Sequence, residues 1–92
     1  MERDIEKKFR LEVKKRGGLA LKFVSPGFSG VPDRIILMPG RKVAFVEVKQ
    51  PGEQMRPLQK RRKAQIERFG FHVYLLDDEN KIGEIIDEIQ ST

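Results

Sequence analysis

The chain has 92 residues and carries 19 lysines and arginines against 14 aspartates and glutamates, for a formal net charge of +5. A chain of this length supports one small domain with a modest core, and we assign residues 1–92 to it. The sequence has no cysteine and no apolar stretch of membrane-spanning length, which argues against disulfide scaffolds and membrane proteins, and we expect no signal peptide. We therefore expect a cytoplasmic, intracellular protein.

Hydrophobic periodicity divides the chain into seven elements in the order α-β-β-β-α-β-α. In the first helix Ile5, Phe9 and Val13 recur at four-residue spacing, and Gly17-Gly18 ends it. A helix separates the third and fourth strands, which favours a parallel pair and therefore an α/β fold with a mixed central sheet flanked by helices. The predicted elements are, in chain order, a helix over residues 3–16, strands over 19–24, 33–38 and 42–48, a helix over 57–69, a strand over 71–76, and a last helix marked by Ile82, Ile85, Ile86 and Ile89.

Two acids and a lysine fall on the second and third predicted strands. Asp33 begins the second strand, and Glu47 and Lys49 lie on one face at the end of the third, because side chains alternate along a strand. With a three-residue loop at 39–41, the two residue numbers in each cross-strand pair add up to 80, so Asp33 lies opposite Glu47. A two-residue loop would turn the two carboxylates to opposite faces. We predict the three-residue loop, because an acid in an apolar strand is unfavourable unless it binds something.

This cluster has the composition of a phosphodiester-cleaving site. Two carboxylates can hold a hard divalent cation, and an ammonium group beside them can assist hydrolysis. We predict Asp33 and Glu47 as ligands of Mg²⁺ or Mn²⁺, with the Val48 carbonyl as a candidate third ligand. Lys49, expected to be partly exposed, would position or activate the attacking water. Taken singly, each residue is ordinarily a turn cap or a solvated charge, and it is their spacing that favours a site.

Charge is unevenly distributed along the chain. Eight basic residues against two acids lie between Arg41 and Lys63, whereas six acids against Lys81 alone lie between Asp77 and Thr92. The basic block predicts a DNA backbone as the partner, although the run at 60–63 is also compatible with a solvated helix face. We further expect the loop at 25–31 to contact DNA near the cut. The predicted DNA contacts are Ser29, Arg34, Arg56, Lys60, Arg61 and Lys63.

Several of these residues together resemble the VRR-NUC nucleases of the PD-(D/E)XK nuclease superfamily. The resemblance runs from about Glu2 to Leu76 and is carried by Glu6, by Gly30-Val31-Pro32-Asp33, by Glu47-Val48-Lys49 and by Gln59. Glu6 stands at the first-helix acid position of archaeal Holliday-junction resolvases, which share the core. The resemblance implies that Glu6 holds a second metal or a metal-bound water, and that Gln59 orients Lys49 or a phosphate. A surface acid and a solvated glutamine are the ordinary alternatives.

The resemblance also implies a function and a partner. It implies a metal-dependent DNA endonuclease of the stand-alone type found in phages and bacteria, which acts on branched junctions as a two-fold homodimer. Cleavage of flaps, nicks or single-stranded ends keeps the same chemistry with another substrate. A non-catalytic nucleic-acid-binding module would explain the basic block alone. We expect no small-molecule cofactor and no membrane partner.

Overall fold

The helices and strands follow the predicted order. A computed structural model describes residues 2–92, with side chains from Asp4 onward, so that Met1 of the predicted domain lies outside the described residues. The strands predicted over 19–24 and 33–38 are shorter, because the first ends at Lys22 and the second begins at Arg34. The elements are α1 Glu2–Lys15, β1 Leu19–Lys22, β2 Arg34–Met38, β3 Lys42–Val48, α2 Pro57–Arg68, β4 His72–Leu76, a 3₁₀ turn Glu79–Lys81 and α3 Ile82–Ser91.

The four strands form one mixed sheet in the order β1-β2-β3-β4. β1 pairs antiparallel with β2, and β2 pairs antiparallel with β3. β3 and β4 are parallel, as predicted from the helix between them, since a parallel pair needs a crossover connection. The sheet is therefore mixed, and the α/β fold expected from the sequence is confirmed.

The hairpin between β2 and β3 has the predicted register. Met38 pairs with Lys42 at the loop and Arg34 pairs with Val46 at the far end, so that paired numbers add up to 80. The three-residue loop is possible because Gly40 and Arg41 both take left-handed backbone conformations, with φ of 84° and 64°. Asp33, one residue before β2, therefore continues the ladder opposite Glu47.

The two faces of the sheet have different surroundings. The face that carries Ile36 and Val46 packs against α1 and α3, and Phe9 and Ile86 on those helices are fully buried beneath it. All four isoleucines of the last helix belong to this core. The opposite face is covered by α2 only near β4, and α2 has no fully buried residue. In the part of the chain that the structure describes, no helix combines the length and apolar character needed to cross a bilayer.

Candidate active site

Asp33 is fixed at the point where the chain enters β2. Its carbonyl oxygen accepts the N–H of Phe23 at 2.8 Å, which extends the β1–β2 ladder by one pair. Its carboxylate oxygen Oδ2 accepts the N–H of Val48 at 2.8 Å. This second bond joins the start of β2 to the end of β3, so the Asp33 carboxylate is held against the strand that carries Glu47.

Glu47 is the most unusual acid among the described residues. Its side chain is only 1% exposed, and both of its carboxylate oxygens lack a hydrogen-bond partner among those residues. Burial raises the pKa of Glu47 from 4.5 to about 8, with a further contribution from the neighbouring Asp33 carboxylate. The charge of Lys49 opposes this increase. A buried carboxylate without donors is unfavourable unless a proton or a cation neutralises it.

Lys49 follows the end of β3 and is buried, contrary to the expectation of a partly exposed side chain. It is 8% exposed, and its Nζ lies 3.9 Å from Oε2 of Glu47. Its backbone N–H donates to the Leu76 carbonyl at 2.9 Å and continues the parallel ladder with β4. Burial follows from this central position in the sheet, which sequence alternation alone does not reveal. The ammonium group is therefore held beside the two carboxylates by the backbone.

Glu6 and Arg34 contact each other. Nε of Arg34 donates to Oε2 of Glu6 at 3.0 Å, and a terminal nitrogen of Arg34 donates to the Ala20 carbonyl at 3.3 Å. Arg34 projects on the α1 side of the sheet, the face opposite to Glu47, because successive strand residues alternate. The structure thus gives each of the two residues a partner within the fold. The metal role of Glu6 and the DNA contact of Arg34 stay predictions.

Gln59 lies in the first turn of α2. Its Oε1 accepts the N–H of Arg56 at 2.8 Å and so satisfies one of the free donors at the start of the helix. The structure therefore supports a capping role for this side chain, and its predicted role near Lys49 stays a prediction. Of the other predicted DNA contacts on or just before this helix, Arg56, Lys60 and Arg61 are exposed and Lys63 is half-buried.

Arg62 was absent from the predicted contacts, although it belongs to the same basic run. Its Nε donates to the carbonyl of Ser29 at 2.7 Å, and its guanidinium carbon lies 3.8 Å from the centre of the Phe28 ring. The sequence held one signal for its orientation, since Leu58, Arg62 and Ile66 recur at four-residue spacing and share one side of α2. Ser29 itself is exposed.

The carboxylate pair has the chemistry of a site for a hard cation. Mg²⁺ and Mn²⁺ prefer oxygen ligands, and the two free oxygens of Glu47 face Asp33 without a competing donor among the described residues. Val48 lies between Glu47 and Lys49 and is buried, which places its backbone at the same spot. Among the described residues, no group of three or more acidic, histidine or cysteine side chains is arranged to hold a metal. Asp33, Glu47 and the Val48 carbonyl therefore remain the candidate ligands, with water completing the set.

The chain is similar to known nucleases in both sequence and fold. The VRR-NUC domain family matches residues 4–78. The "Putative nuclease p44" of Acyrthosiphon pisum secondary endosymbiont phage 1 is 48% identical over 79 residues, which cover 86% of this chain and 85% of that protein. A solved structure described as a VRR_NUC domain superposes with a TM-score of 0.88 at 26% identity, over 94% of each chain. The chain therefore belongs to the VRR-NUC family of nucleases.

Proposed function

We propose that the protein is a DNA endonuclease that depends on Mg²⁺ or Mn²⁺ and hydrolyses phosphodiester bonds without a covalent intermediate. One observation carries the proposal. Glu47 is buried with both carboxylate oxygens unpartnered among the described residues, while Asp33 and Lys49 lie beside it. A fold does not retain such an uncompensated acid for stability, so the arrangement is best explained by a bound cation.

The roles of the residues follow from their chemistry. Asp33, Glu47 and the Val48 carbonyl would hold a divalent cation, which would supply Lewis-acid polarisation of the phosphate and lower the pKa of a water molecule. Lys49 offers three donors from a fixed position, and it stabilises negative charge that develops on the phosphate oxygens. Asp33 is held by the Val48 N–H, so little reorganisation is needed when substrate binds.

Cleavage assays with matched variants test the proposal. Purified protein should cleave DNA with Mg²⁺ or Mn²⁺, lose activity in EDTA and regain it when the ion is restored in excess. Asp33→Asn and Glu47→Gln should abolish cleavage while DNA binding persists. Glu84→Gln, which changes an exposed acid on α3, is the matched control and should cleave normally. A protein that binds DNA yet never cleaves it with either ion would instead be a nucleic-acid-binding module.

The charge distribution supports a DNA path across α2. Arg56, Lys60 and Arg61 are exposed on or beside this helix, which follows the strand that ends at Val48, just before Lys49. The acidic helix α3 packs on the other face of the sheet, where it would repel a phosphate backbone. DNA is therefore favoured on the side that carries the carboxylates. We include Ser29 and Lys63 among the contacts, because both belong to segments at the edge of this surface.

We propose that the substrate is branched DNA and that two copies of the chain act together as a homodimer. A second copy fits the open face of the sheet. Two successive rows across β1, β2 and β3 are entirely apolar, and they lie beside the row that contains Asp33 and Glu47. Small monomers rarely expose contiguous apolar surface, and two-fold pairing through it would bring two active sites together for paired cuts. The rows are Leu19–Leu37–Val43 and Leu21–Ile35–Phe45.

One observation favours the second substrate class, which contains unpaired nucleotides in flaps or single-stranded ends. Phe28 is 44% exposed in the loop that leads to Asp33, and one face of its ring is already covered by Arg62. An exposed aromatic ring beside basic residues is a stacking surface for an unpaired base. Four-way junction, flap, nicked and duplex DNA should be compared with mapped ends. Symmetric paired nicks on the junction support the homodimer reading, whereas single cuts near an unpaired end support this alternative.

We further propose that the protein works inside the cell, because its proposed DNA partner is found there. Its sequence contains no cysteine. A reducing compartment leaves such a chain unaffected. Fractionation of cells that express the tagged protein tests this point.

A further inference from the structure

Arg62 is bound differently from its neighbours in the basic run. Lys60 and Arg61 are exposed, whereas Arg62 is half-buried. Its Nε donates to the Ser29 carbonyl at 2.7 Å, and a terminal nitrogen donates to Oε1 of Gln65 at 3.0 Å. Its guanidinium also lies over the Phe28 ring at 3.8 Å from the centre. Two of the N–H groups and the flat face of this side chain are thus engaged by the protein itself.

The same loop touches α2 at a second point. Gly30 has a φ of +86°, and a Cβ atom at this position would lie 2.7 Å from Cγ of Leu58 and 3.2 Å from Cγ of Arg62. The backbone at Gly30 therefore lies directly on the helix, with no room for a side chain. We call residues 25–30 the entry loop, because the chain passes from it into β2.

Two residues, Val31 and Pro32, separate Gly30 from Asp33. Pro32 is buried on this path and has a restricted backbone, so a displacement of the entry loop is transmitted to the Asp33 backbone. Asp33 in turn is held by Phe23 and Val48 at 2.8 Å each. The position of the entry loop and the position of the Asp33 carboxylate are therefore mechanically connected.

We propose that Arg62 is a positioning residue that clamps the entry loop onto α2 and thereby sets the Asp33 carboxylate against Glu47, and that it is not a phosphate contact. This inference rests on the proposed function wherever it is tested by cleavage activity. An arginine suits this task because its planar fork can stack on Phe28 and donate to Ser29 at once, which a lysine ammonium cannot do.

Salt dependence separates a clamp from a phosphate contact. With Arg62→Ala, we expect kcat to fall about 10- to 100-fold, because a small misplacement of a catalytic group has an effect of this size. The slope of log K for DNA binding against log salt should not change. Loss of a phosphate contact would instead reduce that slope by about 0.9 on duplex DNA. Arg10→Ala, at an exposed position of α1 outside the proposed DNA path, is the control for charge removal and should leave kcat near that of the parent protein.

Two further variants keep the test decisive. Arg62→Lys retains the charge but loses the fork, so it should retain most of the defect. Gly30→Ala should reproduce the loss in kcat without removing any charge, since its methyl group displaces the loop from Leu58. Circular dichroism should confirm that each variant is folded. Full activity of Arg62→Lys, or a reduced salt slope in Arg62→Ala with normal kcat, would overturn the clamp.

A readout that needs no cleavage distinguishes failure of this inference from failure of the proposed function. Hydrogen exchange of amides in the entry loop should be faster in Arg62→Ala than in the parent protein, and unchanged in Arg10→Ala. The thermal stabilisation produced by Mg²⁺ or Mn²⁺ should be smaller in Arg62→Ala. Equal exchange in all three proteins would contradict the clamp even if the parent protein cleaves DNA. An inactive parent protein with a released loop in Arg62→Ala would contradict only the proposed function.

Discussion

The Nζ of Lys49 lies 3.9 Å from Oε2 of Glu47, and both side chains are buried at the end of β3. This separation exceeds hydrogen-bonding distance, so the ammonium group does not directly satisfy the carboxylate. The pKa of Glu47 accordingly stays raised, to about 8, because burial and Asp33 outweigh the attraction of Lys49. Without a cation, the carboxylate pair is expected to hold a proton near neutral pH.

This raised pKa predicts how the metal-free protein responds to pH. The folded-state pKa of Glu47 is about 8 against 4.5 for the ordinary group, so the folded protein binds more protons than the unfolded chain between these values. The free energy of unfolding should therefore be highest, for this group, below pH 4.5 and decline as pH rises through about 8. One proton gives a slope of at most about 1.4 kcal/mol per pH unit.

Urea unfolding in EDTA at several pH values measures this slope. Glu47→Gln removes the titrating group and should flatten the curve across the same range. A parent protein whose stability rises with pH over this window would show that Glu47 is already ionised in the folded state without a metal.

Mg²⁺ or Mn²⁺ should stabilise the folded protein at pH near 8. A ligand that binds only the folded state adds about 2.7 kcal/mol to the free energy of unfolding at a concentration 100 times its dissociation constant. Differential scanning fluorimetry with each ion should show a rise in Tm for the parent protein and for Glu84→Gln. Asp33→Asn and Glu47→Gln should show little rise. An equal shift in all four proteins would place the ion elsewhere.

Replacement of Lys49 should separate chemistry from folding. Lys49→Met keeps the length of the side chain and removes the charge, so cleavage should fall about 100- to 1,000-fold, as for loss of one transition-state donor. Because Lys49 is 8% exposed, some change in stability accompanies the loss, and a thermal melt should confirm that the fold persists. DNA binding measured in EDTA should be nearly unchanged. Single-turnover cleavage at saturating protein gives the rate, and normal rates would remove Lys49 from the mechanism.

A charge placed on the open sheet face should disrupt the proposed homodimer. Leu37 and Val43 are adjacent in the β2–β3 register and are 37% and 36% exposed. Leu37→Glu should convert a dimer to a monomer, as measured by light scattering after size-exclusion chromatography. Leu11→Glu, on an exposed position of α1, is the control and should leave the mass unchanged. A parent protein that is monomeric at high concentration would contradict the dimer.

Two glycine-to-alanine changes should have opposite effects on stability. A Cβ atom at Gly18 would lie 2.2 Å from Sδ of Met38 and 2.5 Å from the Leu37 carbonyl oxygen, so Gly18→Ala forces the α1–β1 turn away from β2. We expect a loss of about 1–3 kcal/mol, typical of overpacking. Gly83 lies in α3 with nearby space, and Gly83→Ala should gain about 0.5–1 kcal/mol from helix propensity. Urea denaturation measures both, and equal effects would contradict the steric argument.

The placement of Asp33 opposite Glu47 was predictable from local rules. The alternation of side chains and the three-residue loop at Gly40 and Arg41 determine which residues of the hairpin face each other. Both are properties of short stretches of sequence, because turn geometry and strand pleating depend on neighbouring residues. The pairing of Asp33 with Glu47, the order of the elements and the parallel crossover were therefore all available before any tertiary contact was known.

The surroundings of the pair were decided only by tertiary structure. Burial of Lys49 depends on β4 and the end of β3 lying side by side, and the Arg34–Glu6 contact depends on α1 crossing the sheet. Arg62 looks like its basic neighbours in the sequence, yet it alone of the run contacts Ser29 and Phe28, more than 30 positions earlier in the chain. Such contacts depend on how separate elements pack, and packing is a property of the whole fold. The sequence by itself determined which groups can do chemistry, and the tertiary structure decided which of them are buried, paired or held in place.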